Sequence, residues 1–167
     1  MATTKFKGTE VQLLGNEVNV GDKAPEVTVV NSDGLGDVIV GGAQGKKQLI
    51  IVVPSLDTGV CATETRNFNA KAASLSGVQA TIVSLDLPFA AGRFCQAEGI
   101  NDLTVTSDFR NKDFANAYGV LLGGSVLAGV TCRAIFAVNE EGIVTYKEIV
   151  PEITEEPNYD AAIAAVS

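Results

Sequence analysis

The chain has 167 residues, 46% of them hydrophobic and 19% charged, which is enough apolar content for one full core and argues against disorder. Its formal net charge is −8, which disfavours nucleic acid and anionic membranes, partners held through Lys and Arg. It has no histidine, which removes Ser-His-Asp and Cys-His catalysis, histidine metal sites and histidine pH switches together.

The opening residues MATTKFKG contain no apolar signal-peptide core, and no apolar stretch approaches the roughly 20 residues that span a bilayer. A cytoplasmic protein of one domain over 1–167, not bound to membrane, is the expectation. Residues 5–14 and 17–20 read as two short strands around Gly15-Asn16, a hairpin occupying 1–20. Residues 27–30 (VTVV) and 37–40 are further short strands, separated by the turn signal NSDG.

Next come five apolar residues, 49–53, that stop at Pro54, the pattern of a buried central strand. The cluster Ser55-Leu56-Asp57-Thr58-Gly59 forms the loop leaving its carboxyl end, and Phe68, Ala72 and Leu75 recur at helical spacing in a helix over about 62–75. Cys61 therefore stands at a helix start beyond a strand end. Open α/β folds bind ligands there, and a helix amino terminus favours a thiolate.

Residues 79–85 are β-rich. Pro88 opens a helix that carries Cys95 and runs to Glu98, before Gly99. A strand over 103–106 and a helix over 111–118 follow, then Gly123-Gly124-Ser125 begins a flexible connection. Residues 132–138 and 143–149 are two strands joined by Asn139-Glu140-Glu141-Gly142, and 159–166 is a terminal helix. This order predicts an α/β thioredoxin-like fold, a central mixed sheet flanked by helices, with the amino-terminal hairpin as an extension.

The glycine-rich segments do not bind nucleotides on their spacing. Ile39 stands where GxGxxG needs its last glycine, and Val40 and Lys47 break the phosphate-loop pattern around Gly45-Lys46. Glu152, Glu155 and Glu156 read as a solvated acidic face rather than a metal site. Cys61, Cys95 and Cys132 are an odd set with no CxxC, so they are buried inert thiols or redox-active ones. Taken alone, Cys132 and Cys95 read as small apolar residues. Arg133 alone reads as a strand residue paired with an acidic neighbour.

Pro54-x-x-x-Thr58-x-x-Cys61 after an apolar strand resembles the active-site loop of the peroxiredoxins. SLDTGVC (55–61), DLPFAAGRFC (86–95), AEGIND (97–102) and SDFRN (107–111), with Arg133, KFKGTEVQLLG and EITEEPNYDAAI, resemble the bacterial, atypical two-cysteine thiol peroxidase branch over essentially the whole chain. The resemblance implies that Cys61 is the peroxidatic cysteine, Cys95 the resolving cysteine of the same chain, and Pro54, Thr58 and Arg133 the rest of the active site. It also implies recycling by thioredoxin and a homodimer; Leu56, Leu87 and Phe89 near the site would suit organic hydroperoxides as well as hydrogen peroxide, and no cofactor or metal is expected. Cys132 matches no catalytic position and is left as structural.

The chemistry supports these roles. A free thiol with a pKa of about 8.5 is only slightly ionised at neutral pH. With no histidine present, a fixed cation such as Arg133 must favour the thiolate and can also stabilise the departing oxyanion. The Thr58 hydroxyl can donate to sulfur while accepting from peroxide, and Pro54 can shield the pocket from water. Bridging Cys61 to Cys95 needs Cα atoms within about 7 Å, so local unwinding around 59–64 and 92–97, at Gly59 and Gly92, is expected. Two alternatives remain: a peroxide sensor with the same disulfide chemistry but no efficient turnover, and a binding module with inert cysteines.

Overall fold

The computed structural model describes residues 2–167. Its elements in chain order are β1 (Thr3–Phe6), β2 (Thr9–Leu14), β3 (Val27–Asn31), β4 (Asp37–Val40), β5 (Lys47–Val52), α1 (Gly59–Ala72) and β6 (Val78–Ser84). There follow α2 (Pro88–Glu98), β7 (Thr104–Ser107), α3 (Asp113–Tyr118), β8 (Leu121–Gly123), β9 (Ala134–Val138), β10 (Val144–Ile149) and α4 (Tyr159–Ala165). Seven strands form one mixed sheet in the order β10-β9-β5-β6-β7-β3-β4, in which β5, β6 and β7 run parallel. The architecture is the expected thioredoxin-like one.

β5 explains how one sheet carries two cores. Alternate side chains of a strand point to opposite faces. Ile50 and Val52 enter a cluster with Phe114 and Tyr118 of α3, whereas Leu49, Ile51 and Val53 enter a cluster with Phe68 of α1 and Ala91 of α2. Both faces are covered, so the strand reads as an unbroken apolar run rather than an alternating one.

The amino-terminal hairpin is present, but its turn is not at Gly15-Asn16. β1 and β2 pair from Thr3↔Gln12 to Phe6↔Thr9, around Lys7 and Gly8 at φ 51° and 83°. Positive φ at both central residues gives the turn a twist that matches the strands. Residues 17–20 form no strand. Instead Asn16 N donates to Asn116 O at 2.8 Å, docking the chain on α3, and a Cβ at Gly15 would lie 2.5 Å from that oxygen. β2 also pairs with β8, a strand the sequence does not predict and whose last residue, Gly123, reads there as the start of a flexible connection, to make a separate three-stranded sheet.

The carboxyl ends of β5, β6 and β7 lie on one edge of the large sheet. β9 runs antiparallel to β5 in the register Val52↔Ala134, so the residue preceding β9 arrives at the same edge. That residue is Arg133.

Candidate active site

Thr58 is the N-cap of α1. Its Oγ1 accepts from Cys61 N at 3.4 Å and donates to Ser55 O at 3.1 Å. Capping by a threonine oxygen satisfies one of the unpaired N–H groups of a first turn. The helix thus starts three residues before the expected position, and Cys61 lies inside its first turn. Cys61, Glu64, Thr65 and Phe68 form the buried stripe of α1, the i, i+3, i+4, i+7 face turned to the sheet.

Cys61 is fully buried, and Arg133 is 2% exposed. One guanidinium nitrogen of Arg133, Nη1, donates to Cys61 Sγ at 3.2 Å and to Glu64 Oε2 at 2.5 Å. Nε donates to Ile153 O at 2.9 Å, which fixes the plane of the fork. Neighbouring strand residues face opposite sides, so Cys132 points away into the α3 cluster while Arg133 points towards α1. Thr131 Oγ1 donates to Val53 O at 2.7 Å and ties this segment to the end of β5. Pro54 is buried where β5 ends.

Glu64 was not singled out in the sequence. It is the acidic neighbour expected of Arg133 as a strand residue, and here the same arginine also serves the cysteine. Burial pushes the Glu64 carboxyl up from 4.5 to about 7, against the pull of Arg133, and Glu148 and Glu156 add to the rise. Its Oε1 is buried without a hydrogen-bond partner among the described residues. On Arg133, burial works against the charge, but Cys61 and Glu64 outweigh it and raise its pKa above the ordinary value.

Thr58 differs from expectation in one respect. Its hydroxyl proton is engaged with the Ser55 carbonyl rather than with the cysteine sulfur, because the tight turn before the helix places that carbonyl within reach.

Cys95 lies apart from this group. It is half-buried on α2 and lines a cleft of about 390 Å³ with Ser32, Asp33 and Gly92. Burial raises its pKa, and Asp33 raises it further, against the lowering effect of the nearby Ser32 hydroxyl. All three cysteines are free thiols. Burial pushes Cys132 up to about 12, which keeps it a neutral thiol at physiological pH. A second cleft, about 410 Å³, opens between the 55–57 loop and α2, lined by Leu56, Asp57, Asp86, Arg93 and Phe94 among others.

The redoxin family matches residues 19–163. A thiol peroxidase of Aquifex aeolicus is 52% identical over 98% of this chain and 96% of its own length. The chain belongs to the thiol peroxidases of the redoxin family. A Campylobacter jejuni thiol peroxidase is also 52% identical, over 95% of this chain and 89% of its own. The crystal structure of a peroxiredoxin-like protein from Aquifex aeolicus superposes with a TM-score of 0.96 at 52% identity, covering 99% of this chain and 96% of that one. A Chromobacterium violaceum thiol peroxidase, 21% identical, shares the fold at a TM-score of 0.85 over 95% of this chain and 91% of that one. No helix among the described residues of this redoxin is long and apolar enough to cross a membrane.

Proposed function

We propose that this peroxidase reduces hydrogen peroxide and organic hydroperoxides through Cys61, with Cys95 as the resolving thiol. The observation that carries the reading is the buried contact of Cys61 Sγ with the Arg133 guanidinium, 3.2 Å away at the first turn of α1. A guanidinium there offers a sulfur anion a permanent positive charge, and a preorganised donor of this kind contributes several kcal/mol to stabilising developing oxyanions.

The Cys61 thiolate attacks the nearer peroxide oxygen. An S–O bond forms, the O–O bond breaks, and the departing oxyanion takes a proton to leave as water or alcohol. Thr58, held at the helix start, orients the peroxide once its hydroxyl releases the Ser55 carbonyl, and Pro54 keeps water from the sulfur. Cys61 is left as a sulfenic acid. The Cys95 thiol condenses with it, forming the S–S bond and releasing water. Cys95 lies in its own cleft on α2, apart from Cys61, so this step requires the start of α1 and residues 92–97 of α2 to loosen.

An external dithiol then returns both thiols and is itself oxidised to a disulfide; thioredoxin is the reductant expected. A cytoplasmic location fits a cycle that needs a reducing pool, and a homodimer is the expected assembly.

Thiol titration before and after one equivalent of peroxide tests the cysteine roles. The native chain should lose two thiols, the Cys61→Ser variant none to peroxide, and Cys95→Ser one, stalling as the sulfenic acid. Peroxide consumption should continue when thioredoxin and its reductase are supplied. A single reaction that then stops indicates a sensor, and normal turnover by Cys95→Ser removes Cys95 from the cycle.

A further inference from the structure

Asp86 belongs to neither cysteine's immediate surroundings, yet it touches the segments that lead to both. It lies between the end of β6 at Ser84 and the first residue of α2, Pro88. Its Oδ1 accepts from Ser55 Oγ at 2.7 Å, and its Oδ2 accepts from Leu56 N at 2.8 Å and Ser84 Oγ at 2.9 Å. Its backbone carbonyl accepts from Ser107 Oγ. An ionised carboxylate only accepts hydrogen bonds, and bonds to it are stronger than neutral ones. Two of the three donors come from residues 31 and 30 positions away, so this is not the local side-chain bonding of an ordinary turn.

The contact continues towards the cysteine. Ser55 O accepts from Thr58 Oγ1 at 3.1 Å, and Thr58 Oγ1 accepts from Cys61 N at 3.4 Å. Hydrogen bonds joined through the covalent frame of Ser55 therefore link Asp86, two residues before α2, to the amide of Cys61. The other ties between α1 and the α2 region lie further along the helices. Arg66 and Glu98 form an exposed ion pair at 3.2 Å, a type that contributes little, and Asn69 Oδ1 accepts from Asp102 N at 2.9 Å. At the helix starts, the link is Asp86.

We propose that Asp86 is a positioning residue for the peroxide reaction. It holds the 55–61 turn in the shape that seats Cys61 beside Arg133, and it couples release of that turn to release of the first turn of α2. Cys61 and Cys95 then become mobile together rather than independently. The proposal rests on the cysteine roles given above.

The test is hydrogen exchange on the reduced full-length chain, with Asp86→Ala, Asp86→Asn and, as an equally destabilised control in the other core, Phe114→Leu. In Asp86→Ala, amides of 55–61 and of 89–92 should exchange about tenfold faster or more, by a common factor, while β5 and β9 are unchanged. Asp86→Asn, which keeps one acceptor oxygen, should show a smaller change of the same kind.

Two rates complete the test. In a Cys95→Ser background, Asp86→Ala should slow the single reaction with peroxide about tenfold. With Cys95 present, it should speed closure of the disulfide from the sulfenic acid. Phe114→Leu should leave the ratio of these two rates unaltered, and a merely destabilising role for Asp86 would make Asp86→Ala do the same. Faster exchange in only one of the two segments, or in neither, overturns the coupling, and an unaltered peroxide rate overturns the positioning role. If the native chain consumes no peroxide, the cysteine roles fail, whereas the exchange result still decides the coupling. Should Asp86→Ala not fold, Asp86→Asn and Ser55→Ala carry the same readouts.

Discussion

Arg133 serves two partners with one nitrogen, since Nη1 meets both Cys61 and Glu64. The charge that Glu64 carries therefore decides how much of the guanidinium's field is left for sulfur. Glu64 titrates at about 7 in the folded chain, raised by burial from 4.5. Between those two pH values the folded state binds more protons than the unfolded one, so this group's contribution to stability falls as pH rises and is lost above about 7. Glu64→Gln has no such proton to lose. Melting temperatures of the two proteins measured from pH 5 to 8 should move in favour of the variant as pH rises; parallel curves would refute the assignment. In the same variant the peroxide rate should match that of the native chain well below pH 7, where Glu64 is already neutral, and exceed it above pH 7, where the native Arg133 is shared with the Glu64 carboxylate. Glu64 was within reach of the sequence. Continuing the stripe Phe68, Ala72, Leu75 back by helical steps lands on Glu64 and Cys61, but nothing in the sequence states that an acid on that face is buried. Only the register of β9 beside β5 brings Arg133 to it, and that pairing joins residues far apart in the chain.

In the proposed cycle the start of α1 has to be firm for peroxide attack and loose for disulfide closure, and Gly59, its first residue, sits where that balance would be set. Nothing lies within 4 Å of the place a Cβ would occupy there, and its φ is not in the left-handed region. Gly59→Ala should therefore stabilise the closed helix by about 0.5–1 kcal/mol through lower unfolded-chain entropy and higher helix propensity. Stopped-flow measurement should find the first reaction with peroxide unchanged and closure of the Cys61–Cys95 disulfide several-fold slower. Equal closure rates would mean that opening begins elsewhere, for instance at Pro88. Elements with strong local signals were legible to within a few residues. α2 runs from Pro88 to Glu98 as read, since the proline fits a first turn and Gly99 takes the left-handed cap at φ 65°. β8 was not legible. Leu121–Gly123 is too short to show a period, and Gly123 looks like a linker residue until Leu14 is seen packed where a Cβ would be, at 2.8 Å. The hairpin turn was misplaced for a similar reason: Gly15-Asn16 has turn chemistry, but it serves the docking on α3.

At the scale of the molecule, the two cores divide the tasks. The α3 side of the sheet, with Phe114, Tyr118, Phe136 and Leu122, contains Cys132 but neither Cys61 nor Cys95. The α1–α2 side holds Cys61 in its buried cluster and Cys95 packed against it. Disulfide closure must move material on the second side without disturbing the first. β5 makes this possible, because it is anchored by parallel β6 on one edge and antiparallel β9 on the other, and none of those ladder bonds involves α1 or α2. A bridge across 34 residues, Cys61 to Cys95, restricts the unfolded chain by about 4 kcal/mol in the chain-entropy account, which helps offset the helix turns lost in forming it. Comparing hydrogen exchange in the reduced and peroxide-oxidised chain checks this division. Oxidation should raise exchange only around residues 55–65 and 86–97, leaving β5, β6, β9 and α3 as protected as before. Loss of protection at Ile50 or Ile135 would mean that the sheet itself yields, and that the second core does not confine the change.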